Sequence, residues 1–224
     1  MQMEFTNLKG LASIVLYPDG FTKERRYPTI LLLHGAGSRG SDLNILEKNA
    51  YFQNVSKHKD FPFVTIAPQC AKNTWFDHFE TLRALVEEVA HLPFVDASRL
   101  YLMGTSMGGY GAWQLAMSMP EAFAAVVPIC GGGMAWNTER LKALPIWAFH
   151  GALDNVVPVE ESIKMVEAVN QRGGYARITI YPNNYHDAWN DTYSNPSVFE
   201  WLLSHTNQTH TEGQDSFLGA DRFG

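Results

Sequence analysis

Residues 100–113 read LYLMGTSMGGYGAW. An apolar run ends at Thr105, and Gly104, Gly108, Gly109 and Gly111 crowd around the single serine, Ser106. Glycine weakens the interior of a regular element, so such a cluster needs a local reason. The pattern fits Gly-x-Ser-x-Gly, in which a strand turns sharply into a helix, here from about Met107, and lifts the serine to the apex of the turn. That apex stands at the C-terminal edge of the sheet, where sites on open α/β sheets lie. Gly104 and Gly108 permit the close backbone approach of the turn, and the helix N-terminus offers free N–H groups to a developing negative charge. A tight turn without chemistry is the simpler reading of these residues alone. The strand–turn–helix setting favours a reactive serine.

Working outward, short apolar runs alternate with helix-length amphipathic segments. ASIVLYP (12–18), TILLLHG (29–35), FVTIAPQ (63–69), RLYLMGT (99–105), FAAVVPI (123–129), PIWAFHG (145–151) and ARITIYP (176–182) read as strands. Most are continuously apolar, as strands buried on both faces of a parallel sheet are. FETLRALVEEVAHL sets Leu82, Leu85, Val86 and Val89 on one helical stripe. PVEESIKMVEAVNQRGG does the same with Ile163, Val166 and Val169, opening at Pro158 and closing on Gly173. NPSVFEWLLSH supplies a last helix. The alternation predicts an α/β fold, a doubly wound and mostly parallel sheet flanked by helices. One domain is expected over residues 1–205, followed by a polar tail over 206–224 in which Phe217, Leu218 and Phe223 are the apolar residues available for docking.

A net charge of −6 without a long basic cluster argues against nucleic acid or an anionic membrane surface as the main partner. No stretch has the length of a membrane span, and MQMEFTNLKG lacks the features of a secretory signal, so a cytoplasmic location is expected.

A serine hydroxyl attacks only when a base takes its proton and an acid holds that base in the right tautomer. His186, in the loop YPNNYHDAW after the last strand, is the favoured base, with His150 as fallback. His34 and His150 end strands beside glycine, where hydrogen bonding to loop backbone is the simpler role; His58, His78, His91, His205 and His210 default to solvated surface. For the acid, Asp154 in HGALDNVVP follows a strand directly. Asp187 adjoins His186 and Glu139 follows the preceding strand, and both are weaker candidates. The order Ser106, Asp154, His186 is the nucleophile–acid–base order of the elbow fold.

Two amides are candidates for an oxyanion hole: Met107, after the serine, and Ala36 or Gly37 in HGAGSRG after the strand at 29–35. Trp75, Trp136 and Trp189 lie on loops near the expected site and are candidates for an aromatic wall, with core sealing as the alternative. Trp113, Trp147 and Trp201 read as packing. GAGSRG matches G-x-G-x-x-G but lacks a suitably placed acidic residue downstream, and no metal-ligand spacing is present, so no cofactor or metal is expected.

LLLHGAGSRG, GTSMGGYGAW, HGALDNVVP and YHDAW, in this order over residues 12–205, resemble the α/β-hydrolase fold. Within it the chain is similar to serine esterases of the compact phospholipase/carboxylesterase group, on NTWFD (73–77), to dienelactone-hydrolase-like proteins, and to feruloyl-esterase-related peptidases, on HDAWNDTYSNPSVFEWLLSH. The resemblance implies Ser106, Asp154 and His186 as a triad with Ala36 and Met107 as oxyanion donors. Dienelactone hydrolases carry cysteine at the apex, so Ser106 points to ordinary ester chemistry. The implied strand order ends Cys70 and Cys130 on strands separated by two others, roughly 14 Å apart and beyond disulfide reach, as free buried thiols. Only CGGGMAWNTERLKAL separates two strands where lipases insert a lid, so no cap domain is expected.

The expected function is a serine carboxylesterase acting on short-chain or aromatic esters through an acyl-enzyme, its partner a small-molecule ester, with a homodimer left open. The alternatives are a thioesterase, a small-peptide hydrolase, and a non-catalytic scaffold of the same fold.

Overall fold

The structure, a computed structural model, describes residues 1–207. The strands are β1 (Gln2–Leu8), β2 (Leu11–Tyr17), β3 (Tyr27–Leu33), β4 (Val64–Pro68), β5 (Val95–Thr105), β6 (Ala125–Ile129), β7 (Ile146–Gly151) and β8 (Ala176–Tyr181). They form one eight-stranded sheet in the order β1-β2-β4-β3-β5-β6-β7-β8. β1 and β2 run antiparallel to their neighbours, and all pairs from β4 to β8 are parallel. β1 was not expected. It pairs with β2 through a two-residue turn at Lys9 (φ 50°) and Gly10 (φ 81°), the backbone of a type I′ hairpin. The fold is the doubly wound α/β sheet.

The helices are α1 (Leu43–Glu47), α2 (Ala50–Val55), α3 (Phe79–Ala90), α4 (Met107–Ser118), α5 (Glu160–Gln171), α6 (Trp189–Ser194) and α7 (Pro196–Leu203). Side chains alternate across a strand, so β3 serves two cores at once. Leu31 and Leu33 pack with Leu82 and Leu85 of α3, Trp113 of α4 and Met165 of α5. Ile30 and Leu32 pack on the other face with Leu46 of α1, Phe52 of α2, Tyr193 of α6 and Phe199 of α7. At the end of α5 the Gly173 and Gly174 amides bond back to the Asn170 and Val169 carbonyls, with Gly173 at φ 78°. This is the glycine-closed C-terminus that the sequence implied.

Between β6 and β7 lies a 3-10 stretch over Ala135–Leu141 and no inserted cap. β4 and β6, after which Cys70 and Cys130 come, are separated by β3 and β5, and both thiols are free and buried. The tail residues Phe217, Leu218 and Phe223 lie outside the described residues, as does His210. Among the described residues no helix is long and apolar enough to cross a membrane.

Candidate active site

The order of the strands reverses around β3. The chain leaves β3 toward β4 on one side, while β5 pairs on the other, and the crevice beyond such a reversal is where α/β sheets bind ligands. Leu33 pairs with Gly104, which brings the turn after β3 beside the turn after β5. Ser106 occupies that second turn at φ 55° and ψ −116°, a backbone conformation that costs a non-glycine residue about 1–3 kcal/mol. Its N–H donates to the Ile129 carbonyl at 2.8 Å and its carbonyl accepts from the Tyr110 amide at 3.0 Å. These bonds fix the apex from β6 and from α4.

The structure brings the three candidate residues together. Ser106 Oγ lies 2.8 Å from His186 Nε2, and His186 Nδ1 lies 2.6 Å from Asp154 Oδ2. Asp154 Oδ1 accepts from the Val156 and Val157 amides, each at 2.9 Å. The Asp154 side chain is fully buried and His186 is half-buried. Burial alone would raise the Asp154 carboxyl, but the hydrogen bonds from His186, Val157 and Val156 outweigh it and hold the group below the usual carboxylate range. A carboxylate at Nδ1 requires the proton there. Nε2 then presents its lone pair to the Ser106 hydroxyl.

Ala36 opens a single 3-10 turn over Ala36–Ser38, and Met107 opens α4. Their amides belong to first turns, which have no intrahelical acceptor. Ala36 and Gly37 line a cleft of about 440 Å³ together with Ser106, His186, Val156 and Trp189. Trp189 also stands edge-on to the His186 ring, centroids 5.2 Å apart.

Two of the three loop tryptophans are elsewhere. Trp75 is buried, its Nε1–H donates to the His34 carbonyl at 2.9 Å, and its ring leans on the His34 imidazole, so it seals the core beneath the loop. Trp136 is 72% exposed and does not border the cleft. Asn49, Val156 and Tyr193 do border it and carry no motif that marks them. Of the other histidines, His34 bonds loop backbone, donating to the Gly35 carbonyl at 2.7 Å and accepting from the Cys70 amide at 2.9 Å. His58, His78 and His205 are half-buried instead of solvated, and His58 Nε2 contacts the Tyr193 carbonyl at 2.8 Å. Trp147 and Trp201 are half-buried and enclose the Arg177 guanidinium, while Trp113 is core.

Residues 46–209 match the model of the dienelactone hydrolase family. The chain belongs to the dienelactone hydrolase family. It is a hydrolase of the α/β-hydrolase fold. Among curated proteins, this family member is 21% identical to dipeptidyl-peptidase 5 of Porphyromonas gingivalis over 89% of the chain and 36% of the relative. It is 28% identical to feruloyl esterase B of Piromyces equi over 68% of the chain and 31% of the relative. The chain thus spans about a third of these two relatives' lengths. Among solved structures, a thermostable esterase superposes with a TM-score of 0.73 at 32% identity, over 91% of this chain and 63% of that one. Est1E from Butyrivibrio proteoclasticus superposes with a TM-score of 0.68 at 15% identity, over 91% and 98%, a likeness of fold.

Proposed function

We propose that this protein is a serine carboxylesterase that cleaves short-chain or aromatic carboxylic esters through an acyl-enzyme. The observation that carries the reading is the unbroken line Ser106 Oγ–His186–Asp154 at the head of β5. Ser106 attacks the ester carbonyl as His186 Nε2 takes its proton. Asp154 holds Nδ1–H and stabilises the imidazolium. The Ala36 and Met107 amides receive the oxyanion, each such donor contributing about 3 kcal/mol to the transition state. His186 next protonates the departing alcohol and then draws a proton from the water that releases the acid.

An open cleft walled by Trp189 and Val156 and bordered by Tyr193 suits a small acyl group or a planar ring better than a long chain. The relatives named as feruloyl esterases agree with an aromatic acid. Those named as dipeptidyl peptidases support a second reading, hydrolysis of small peptides by the same residues.

Rates on 4-nitrophenyl esters from acetate to palmitate, methyl ferulate and aminoacyl 4-nitroanilides test both. A maximum on acetate or ferulate is expected, with Ser106→Ala lowering kcat by a factor on the order of 10⁴–10⁶. A maximum on the anilides would replace the esterase reading with the peptidase one, and a fully active Ser106→Ala protein would remove both.

A further inference from the structure

His150 is the penultimate residue of β7, four residues before Asp154, and is fully buried. Its Nε2 lies 2.9 Å from the Val157 carbonyl and 3.3 Å from Asp154 Oδ2. Both neighbours are acceptors, so Nε2 carries a proton. On the other side of the ring, Nδ1 lies 2.7 Å from Ser162 Oγ, which stands 2.8 Å from the Gly131 carbonyl. The imidazole therefore links the Asp154 loop to Ser162 of α5.

His34 shows what a buried histidine at a strand end does when it only satisfies backbone, since its two ring nitrogens meet the Gly35 carbonyl and the Cys70 amide. His150 differs because it reaches the candidate triad's acid. Asp154 Oδ2 has two imidazoles within reach, His186 at 2.6 Å and His150 at 3.3 Å. Two further titratable groups act on this pair: the Tyr110 phenol of α4, which burial and the Glu161 and Asp154 charges hold above its ordinary range, and Cys130. Cys130, at φ 49° after β6, has its Sγ within 4.8 Å of His150 and Asp154 ligand atoms. These three residue types could in principle hold a metal. Burial and the Asp154 charge push the Cys130 thiol up to about 12, however, and His150 Nε2 already bears a proton. In this arrangement the Nε2 proton of His150 is turned to two acceptors, so the ring meets Asp154 as a donor.

We propose that His150 is a positioning residue of the hydrolytic site: its Nε2–H, bonded to the Val157 carbonyl, also faces Asp154 Oδ2 at 3.3 Å, fixing the carboxylate's direction and drawing part of its charge away from His186. The proposal rests on the triad reading given above. Without this donor the carboxylate turns more freely and offers its charge to His186 alone. The imidazolium is then favoured and the transition-state geometry loosened.

The test compares His150→Ala, His150→Gln, whose amide N–H reaches the place of Nε2, and Ser162→Ala, which frees the far side of the ring without touching Asp154. In His150→Ala, kcat on 4-nitrophenyl acetate is expected to fall on the order of 10- to 100-fold with KM little changed. The acid limb of the kcat/KM profile should move up by about 0.5–1 pH unit. His150→Gln should restore most of both, and Ser162→Ala should move the limb in the same direction by less. The proton resonance of His186 Nδ1–H supplies a readout that needs no turnover. It should move in His150→Ala and return in His150→Gln. A folded His150→Ala protein whose acid limb and resonance stay at the wild-type positions overturns the proposal, whatever its activity loss. If His150→Ala does not fold, an unmoved limb and resonance in Ser162→Ala overturn it. Should Ser106→Ala retain activity, the hydrolytic reading fails, and the resonance still decides whether His150 shapes the His186–Asp154 pair.

Discussion

Gly104 of β5 faces Gly108 of α4 so closely that a Cβ on Gly104 would stand 2.0 Å from the Gly108 carbonyl oxygen. Gly108 in turn presses on β3, where its Cβ would stand 1.9 Å from the Leu33 carbonyl oxygen. Three backbones thus meet beneath Ser106, and none can give way without moving the apex. Gly104→Ala and Gly108→Ala are each expected to cost about 3 kcal/mol or more, at or beyond the upper end for overpacking, and to abolish the hydrolysis of 4-nitrophenyl acetate proposed above. Gly37→Ala, at a position where a Cβ meets nothing within 4 Å, should unfold within about 0.5 kcal/mol of wild type. Urea denaturation of the three variants checks the contrast.

The stability of the fold should depend on His34. Its ring is 1% exposed, and burial, aided by the nearby Arg39 charge and only partly offset by the Gly35 carbonyl, lowers its pKa to about 4. In the unfolded chain the same ring titrates near about 6.5. Between those values the unfolded chain binds a proton that the folded one refuses, so stability falls as pH is lowered through about 6.5 to about 4. The loss amounts to about 3 kcal/mol at the bottom of that window. His150, lowered chiefly by burial, acts in the same direction. Unfolding free energies at pH 7.5 and pH 4.5 should differ less in His34→Gln than in wild type, and an equal difference would refute the assignment.

How much of this was legible follows from where each signal comes from. β3, β5 and β6 are buried on both faces, so their continuous apolar runs stand out against any background. β1 lies at the sheet edge with mostly exposed or half-buried side chains, and its turn is Lys-Gly where Asn-Gly would have announced a hairpin. α1 and α2 have five and six residues, too few for a helical period to show. That Ser106, Asp154 and His186 would come together could be read because each follows a strand, and the parallel strands deliver their ends to one edge. Which way a loop side chain turns is a tertiary decision. Trp75 turns inward because the His34 carbonyl offers its indole N–H a partner, and nothing in NTWFD encodes that.

Asp154→Asn tests the tautomer argument. The Val156 and Val157 amides both point at Oδ1, so an asparagine must place its carbonyl oxygen there and its NH₂ where Oδ2 was. That NH₂ faces His186 Nδ1 as a donor, forces the ring proton onto Nε2, and leaves Ser106 without a base. It also meets the proton on His150 Nε2. The expected result is a folded protein whose kcat on 4-nitrophenyl acetate falls by about 10⁴ at neutral pH, with KM changed little. Loss through KM alone would mean that Asp154 shapes binding and not the base.

Trp189 should set the preference for aromatic acids. It borders the cleft and stands edge-on to His186, so Trp189→Ala removes both a wall and a support for the base. The support is common to every substrate, whereas the wall matters only for an acyl group large enough to touch it. The ratio of kcat/KM for methyl ferulate to that for 4-nitrophenyl acetate therefore isolates the wall. It should fall about tenfold, the equivalent of roughly 1.4 kcal/mol of ring contact. Val156→Ala, at a cleft residue that is 65% exposed, should lower the same ratio by a smaller factor without loss of stability. Trp136→Ala should leave the ratio unchanged, because that ring does not border the cleft. An unchanged ratio in Trp189→Ala would move the acyl site to another wall of the cleft, with Asn49 and Tyr193 as the next residues to substitute.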